Sequence, residues 1–216
     1  MHMTGGQALV QSLKIEGIQT IFALPGIQLD FAFDALWEEQ DYFHIHHTRH
    51  EQATAYMADG FARSTGQIGA CFVVPGPGLL NAAAGLSTAY SCSSPVLCLT
   101  GQIASDQIGL GRGQLHEINN QLETISSVVK HAERAMRPEE IPGMVRRAAK
   151  ELQTGRPRPV ELEVPPDVLE RVADVTLLEP EQWVRAVEHP ADEDLLERAA
   201  EMLGRAERPL ICSGGG

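Results

Sequence analysis

No run of about 18 apolar residues occurs in this chain, so no helix long enough to span a bilayer is expected. The opening residues, Met1-His2-Met3-Thr4-Gly5-Gly6, place no basic stretch ahead of an apolar core, and no secretory leader is read there. Basic residues are scarce. Seventeen Lys and Arg stand against 29 Asp and Glu, a formal net charge of −12. A field of that sign disfavours nucleic acid or an anionic membrane surface as partner. Cysteine is also sparse: the four, at 71, 92, 98 and 212, include no CxxC pair, and Cys71 and Cys98 fall in apolar runs. Buried, reduced thiols in a cytoplasmic protein are the expectation. There is no GxxxxGK[ST] phosphate loop, and no GxGxxG opens a helix after the first expected strand. His44, His46, His47 and His50 lie close together, but no second group of ligands stands at metal-binding spacing, so no metal site is expected in this chain.

What is present is globular in composition, with 43% apolar residues among 216, enough for one large domain or one domain and part of another. Apolar runs of about five residues alternate with helical patterns of 10–15. Thr4 and Gln7 form a capping box before a helix that Gly17 ends. Strands are expected at 20–24, 42–46, 69–74, 95–100, 125–129 and 160–164. Helices are expected at about 28–38, 51–64, 79–90 and from Pro138 to about 153. Near-continuous apolar strands joined by helices predict an α/β fold, a parallel β-sheet flanked by helices on both faces. Residues 171–190 read as a linker. A helix over 193–203, an apolar strand at 209–212 and Gly214-Gly215-Gly216 then resemble the start of a second α/β domain, so the chain is expected to be the front of something longer. The helices 51–64 and 79–90 are rich in small residues (Ala55, Ala58, Ala62, Ala82, Ala83, Ala84, Gly85), which permit close approach to the sheet or to another chain.

In open parallel sheets, ligands sit beyond the carboxyl ends of the strands. Three expected strand ends carry glycine: Pro25-Gly26, Pro75-Gly76-Pro77-Gly78 and Gly101. Glycine there lets the backbone come close to a flat ligand. A fourth place is Arg49-His50-Glu51-Gln52, where a glutamate stands at a helix N-terminus. Taken alone, Glu51 is better explained by a favourable interaction with the helix dipole, worth about 0.3–1 kcal/mol.

The segment Arg49-His50-Glu51-Gln52-Ala53, followed by Tyr56-Met57-Ala58-Asp59-Gly60-Phe61-Ala62-Arg63, resembles the RHE-x-A…A-x-G-x-A-R motif of thiamine-diphosphate enzymes of the acetolactate synthase and 2-oxo acid decarboxylase type. Phe22-Ala23-Leu24-Pro25-Gly26 is similar to that superfamily's F-x-x-P-G loop, and Pro75-Gly76-Pro77-Gly78-Leu79-Leu80-Asn81 to its G-P-G-x-x-N loop. Pro95 to Gln102, Lys130-His131 and Pro159 to Asp167 continue the resemblance in order. It implies a pyrimidine-binding domain over residues 1–170, followed by the linker 171–190 and the truncated start of a middle domain over 191–216.

The resemblance implies that thiamine diphosphate lies against Pro25, Gly26, Glu51, Pro75, Gly76 and Asn81. Glu51 would be the catalytic residue, bonding the pyrimidine ring nitrogen so that the exocyclic amine can take the thiazolium C2 proton. The substrate would be a 2-oxo acid, and the assembly a homodimer or homotetramer. Acetolactate synthases carry a Phe-Gln pair near His116-Glu117; here Gln114, His116 and Glu117 are either substrate-facing groups or an exposed loop. Mg²⁺ and the diphosphate are held in this superfamily through a GDG…NN motif, which these residues lack, so those ligands would belong to a C-terminal domain and this chain alone would be inactive. FAD binding is possible for such enzymes but has no support here. The alternative is a non-catalytic α/β module for oligomerisation or regulation, with Glu51 only a helix-end residue.

Overall fold

Six parallel strands form the central sheet. The computed structural model describes residues 1–180 and 191–212. In chain order the elements are β1 (His2–Thr4), α1 (Gly5–Ile15), β2 (Thr20–Ala23), α2 (Asp30–Glu38), β3 (His44–His47), α3 (Glu51–Thr65), β4 (Gly69–Val73), α4 (Pro77–Cys92), β5 (Val96–Gly101), α5 (Gln121–Ile125), β6 (His131–Arg134), α6 (Ile141–Gln153), β7 (Val160–Val164), α7 (Pro166–Glu170), β8 (Val172–Asp174) and α8 (Glu193–Arg205). The sheet order is β3-β2-β4-β5-β7-β6, with every neighbouring pair parallel. The predicted fold class is therefore the observed one.

The strands are built for burial on both faces. Every residue of β4 and β5 is buried. Successive side chains alternate: Ala70, Phe72, Leu97, Leu99 and Leu162 join one core with α1, α2 and α6, while Cys71, Val73 and Cys98 join the other with α3 and α4. The capping box at Thr4 forms as expected: Gln7 N–H donates to Thr4 Oγ1 at 3.1 Å and Thr4 N–H to Gln7 Oε1 at 3.0 Å. The chain leaves β2 for β3 on one side and returns past it to β4 on the other. The loops after β2 and β4 are thus neighbours at the point where strand order reverses, and a Cβ on Gly26 would sit 2.4 Å from Val74 Cγ1.

Three expectations need correction. The strand expected at 125–129 is instead the end of α5 and a turn. Asn120 caps α5, its Oδ1 accepting from Glu123 N–H at 3.2 Å, and the apolar pair Ile125 and Val129 is spaced as one helical turn. The true strand is β6, His131-Ala132-Glu133-Arg134, a charged sheet edge without an apolar run. Second, the stretch 171–190 is not all linker: β8 pairs antiparallel with β1, which had no signature of its own. Residues 181–190 of that linker lie outside the described residues. Third, Pro209–Cys212 forms no strand. Among the described residues it has no sheet neighbour to bond, and Leu210 and Ile211 are exposed. The helix expected at 193–203 is present as α8, with no buried residue; Gly214-Gly215-Gly216 lies outside the described residues. Of the two uses open to the small residues of α3 and α4, packing within the chain accounts for most of them. A Cβ on Gly85 would meet Ala55 Cβ at 2.6 Å, and Ala55, Ala58, Ala62 and Ala82 are buried.

Candidate active site

The turn Thr48-Arg49-His50 carries the chain from edge strand β3 into α3. His50 caps that helix, its Nδ1 accepting from Gln52 N–H at 3.2 Å, while Thr48 Oγ1 donates to His50 C=O at 3.0 Å. Glu51 is consequently the first helical residue, half-buried, where the helix dipole favours its negative charge. Its Oε2 accepts from Asn81 Nδ2 at 3.0 Å. Among the described residues its Oε1 accepts no hydrogen bond.

The glycine loop between β4 and α4 faces that carboxyl group. A Cβ on Gly78 would meet Val74 Cγ2 at 2.6 Å and would come within 3.6 Å of Glu51 Oε1. Gly76 has φ +57° and ψ −114°, and a Cβ there would lie 2.2 Å from His116 C=O, so no other residue fits without a shift of backbone. Pro75 and Gly76 are buried, Gly26 half-buried and Pro25 exposed. The structure therefore brings Glu51, Asn81, Pro75 and Gly76 together, with Gly26 beside them across Val74.

In the loop 102–120, read from sequence as either substrate-facing or exposed, the side chains find partners mostly within the chain. Glu117 is turned onto its own loop, accepting from Gly111 N–H at 3.1 Å and Gln114 N–H at 2.9 Å. His116, in the left-handed region at φ +70°, places Nδ1 3.2 Å from Gln28 Oε1, and Gln28 Nε2 donates to Leu115 C=O at 3.3 Å. Gln114 is exposed. Of the three, only His116 adjoins the glycine loop, and it does so through its backbone.

Sequence reading missed the polar cluster beneath this loop. Glu163 of β7 is fully buried and ion-paired with Arg134 of β6. Its carboxylate also accepts from Gln121 Nε2 at 2.5 Å and Gln102 Nε2 at 3.3 Å. Adjacent on the same face, Glu161 is fully buried with neither side-chain oxygen bonded. Desolvation, reinforced by the neighbouring charge of Glu163, pushes the Glu161 carboxyl well above its ordinary range. The only available signal was two glutamates at alternate positions of an otherwise apolar strand. Among the described residues no group of three or more His, Cys, Asp or Glu is placed to hold a metal ion. Of the four clustered histidines, His46 stacks on Phe22 with centroids 5.4 Å apart and His50 is the helix cap.

The family described as thiamine pyrophosphate enzyme, N-terminal TPP binding domain, matches residues 3–124. The chain belongs to that family. The matched residues include every group around Glu51. Among curated relatives, a probable acetolactate synthase large subunit of Methanocaldococcus jannaschii is 38% identical over 99% of this chain and 36% of its own length. A probable 2-ketoarginine decarboxylase of Pseudomonas aeruginosa is 37% identical over 99% of this chain and 38% of its own. An acetolactate synthase of Arthrospira platensis is 36% identical over the whole chain and 38% of its own. This chain thus spans little more than a third of the length of the relatives it matches.

Proposed function

We propose that this chain is the N-terminal, cofactor-binding part of a thiamine-diphosphate-dependent enzyme that decarboxylates or carboligates 2-oxo acids. Its organisation is a pyrimidine-binding domain over 1–170 and a lead into a further domain from 191. The carrying observation is the carboxyl group of Glu51: one oxygen is held by Asn81, and the other is unengaged and faces the glycine at position 78. The residues fit an aminopyrimidine. A half-buried carboxyl can share a proton with a weakly basic ring nitrogen, which an amide cannot. Glycine at 78 keeps a side chain away from Glu51 Oε1, and glycines at 26 and 76 let the two loops pack closely on Val74 and His116. When bound, thiamine diphosphate supplies a carbanion equivalent at its thiazolium C2 for attack on the substrate carbonyl. Glu51 would hold and exchange a proton at the ring nitrogen, Asn81 would keep the carboxyl aimed, and Pro25, Gly26, Pro75 and Gly76 would wall the ring.

Mg²⁺ and the diphosphate would be held outside this chain, which is why the chain alone would be inactive. The same reading places the protein in the cytoplasm and makes it a homodimer or homotetramer. Tyr56, Met57 and Leu80 support association: they are 43%, 41% and 46% exposed on α3 and α4, the helices that carry Glu51 and Asn81. Apolar groups so exposed next to a polar site suit a protein contact.

Glu51→Gln in the full-length enzyme tests the reading. The expected result is an unchanged melting temperature with C2 proton exchange of the bound cofactor slowed by at least about 10²-fold. Exchange at the wild-type rate would remove Glu51 from the mechanism and leave it a helix-end residue.

A further inference from the structure

Gln121 ties the loop after β4 to the end of β5. Its Oε1 accepts from Gly76 N–H at 2.9 Å, and its Nε2 donates to Gly101 C=O at 3.0 Å and to Glu163 Oε2 at 2.5 Å. At 1% exposure, water does not compete for these bonds. The partners also dictate which way the amide points. A backbone carbonyl and a carboxylate only accept, and a backbone N–H only donates. Turning the amide over would set oxygen against both acceptors and nitrogen against the Gly76 N–H, so a single orientation satisfies all three partners. Glu163 is fixed in turn by Arg134 and Gln102. A line of bonds therefore runs from edge strand β6 through β7 and α5 to the glycine loop.

The Gly76 end of that line is where position matters. The Gly76 N–H is already taken, so this loop does not hold a ligand through it. The loop is instead wedged between Gln121 on one side and the His116 backbone on the other, two residues before the Gly78 that faces Glu51 Oε1.

We propose that Gln121 is a positioning residue for the cofactor site. It sets where the Pro75–Gly78 loop stands against Glu51, and Glu163, held by Arg134, keeps its amide turned the right way. This rests on the cofactor reading given above. A glutamine with a purely structural role would cost stability on replacement and leave cofactor dependence alone.

Gln121→Met retains length and removes all three bonds. In the 216-residue chain, amide hydrogen exchange at Gly76 should then quicken at least tenfold, while that of Leu99 in the middle of β5 stays unchanged. In the full-length enzyme the thiamine diphosphate concentration for half-saturation should rise at least tenfold, with kcat at saturating cofactor falling less than threefold. Glu163→Gln, which removes the carboxylate that accepts from Gln121 Nε2 and pairs with Arg134, should move both readouts the same way by a smaller factor, and serves if Gln121→Met fails to fold. An unchanged half-saturation in a folded variant would overturn the proposal, as would a loss confined to kcat. Glu51→Gln run in parallel separates the two readings. If it stops C2 exchange while Gln121→Met leaves half-saturation unchanged, only the positioning role falls. If it leaves exchange intact, the role given to Glu51 in the cofactor reading falls.

Discussion

Asn81, in the second turn of α4, donates its side-chain amide to Glu51, the first residue of α3, at 3.0 Å. Both helices begin where a strand ends at the same edge of the sheet, so a bond thirty residues long in sequence is short in space. It fixes one carboxyl oxygen and leaves the other to a ligand.

Replacing Asn81 by Ala should therefore loosen Glu51 without unfolding the domain, because Asn81 is itself exposed. The expected cost in C2 proton exchange is about fivefold, equivalent to one hydrogen bond of about 1 kcal/mol. Asn81→Asp should cost more, since two carboxylates would then face each other. A rate for Asn81→Asp above that of Asn81→Ala would contradict the role given to this bond.

Glu161 predicts a pH dependence of stability. The native carboxyl is held well above 4.5 by burial and by the charge of Glu163, so the folded state keeps a proton that the unfolded chain gives up. The contribution is complete below the unfolded value and is lost as pH rises above about 4.5, at about 1.4 kcal/mol per pH unit, until the native group ionises. Glu161→Gln abolishes that slope. Urea denaturation at pH 5 and pH 8 should show the variant gaining on the wild type by at least about 1 kcal/mol at the higher pH. A constant difference across that range would mean that Glu161 is charged in the native state.

Association is the remaining prediction. With Tyr56, Met57 and Leu80 exposed, the chain should scatter light as at least a dimer at tens of micromolar, and Met57→Lys should reduce that mass. A 23.5 kDa species at all concentrations would leave assembly to the parts outside this chain.

Much of the fold was legible because burial on both faces leaves a strong mark. Phe72 and Val73, or Leu97 to Leu99, have no polar alternation to confuse with an exposed strand. What escaped notice was whatever lacked that mark. β6 is charged because it is an edge, and β1 and β8 are three residues each and exist only as a pair. At the site, Glu51, Asn81 and the glycines were legible through motifs that repeat across a superfamily. Gln121 and Glu163 were not, because their partners lie 45 and 42 residues away, and only the folded sheet brings them together.

The pairing of β1 with β8 has a practical consequence. Met1 donates its terminal amine to Val175 C=O at 2.6 Å, and Val175 N–H returns a bond to Met1 C=O at 2.8 Å. The two ends of the folded unit thus leave it side by side, at a two-stranded ribbon separate from the large sheet. A unit with adjoining ends can be spliced into a surface loop of a host protein, or joined end to end and reopened elsewhere, with a connector of only a few residues. By the same token, a bulky tag fused directly before Met1 would press on the strand through which the chain leaves the domain.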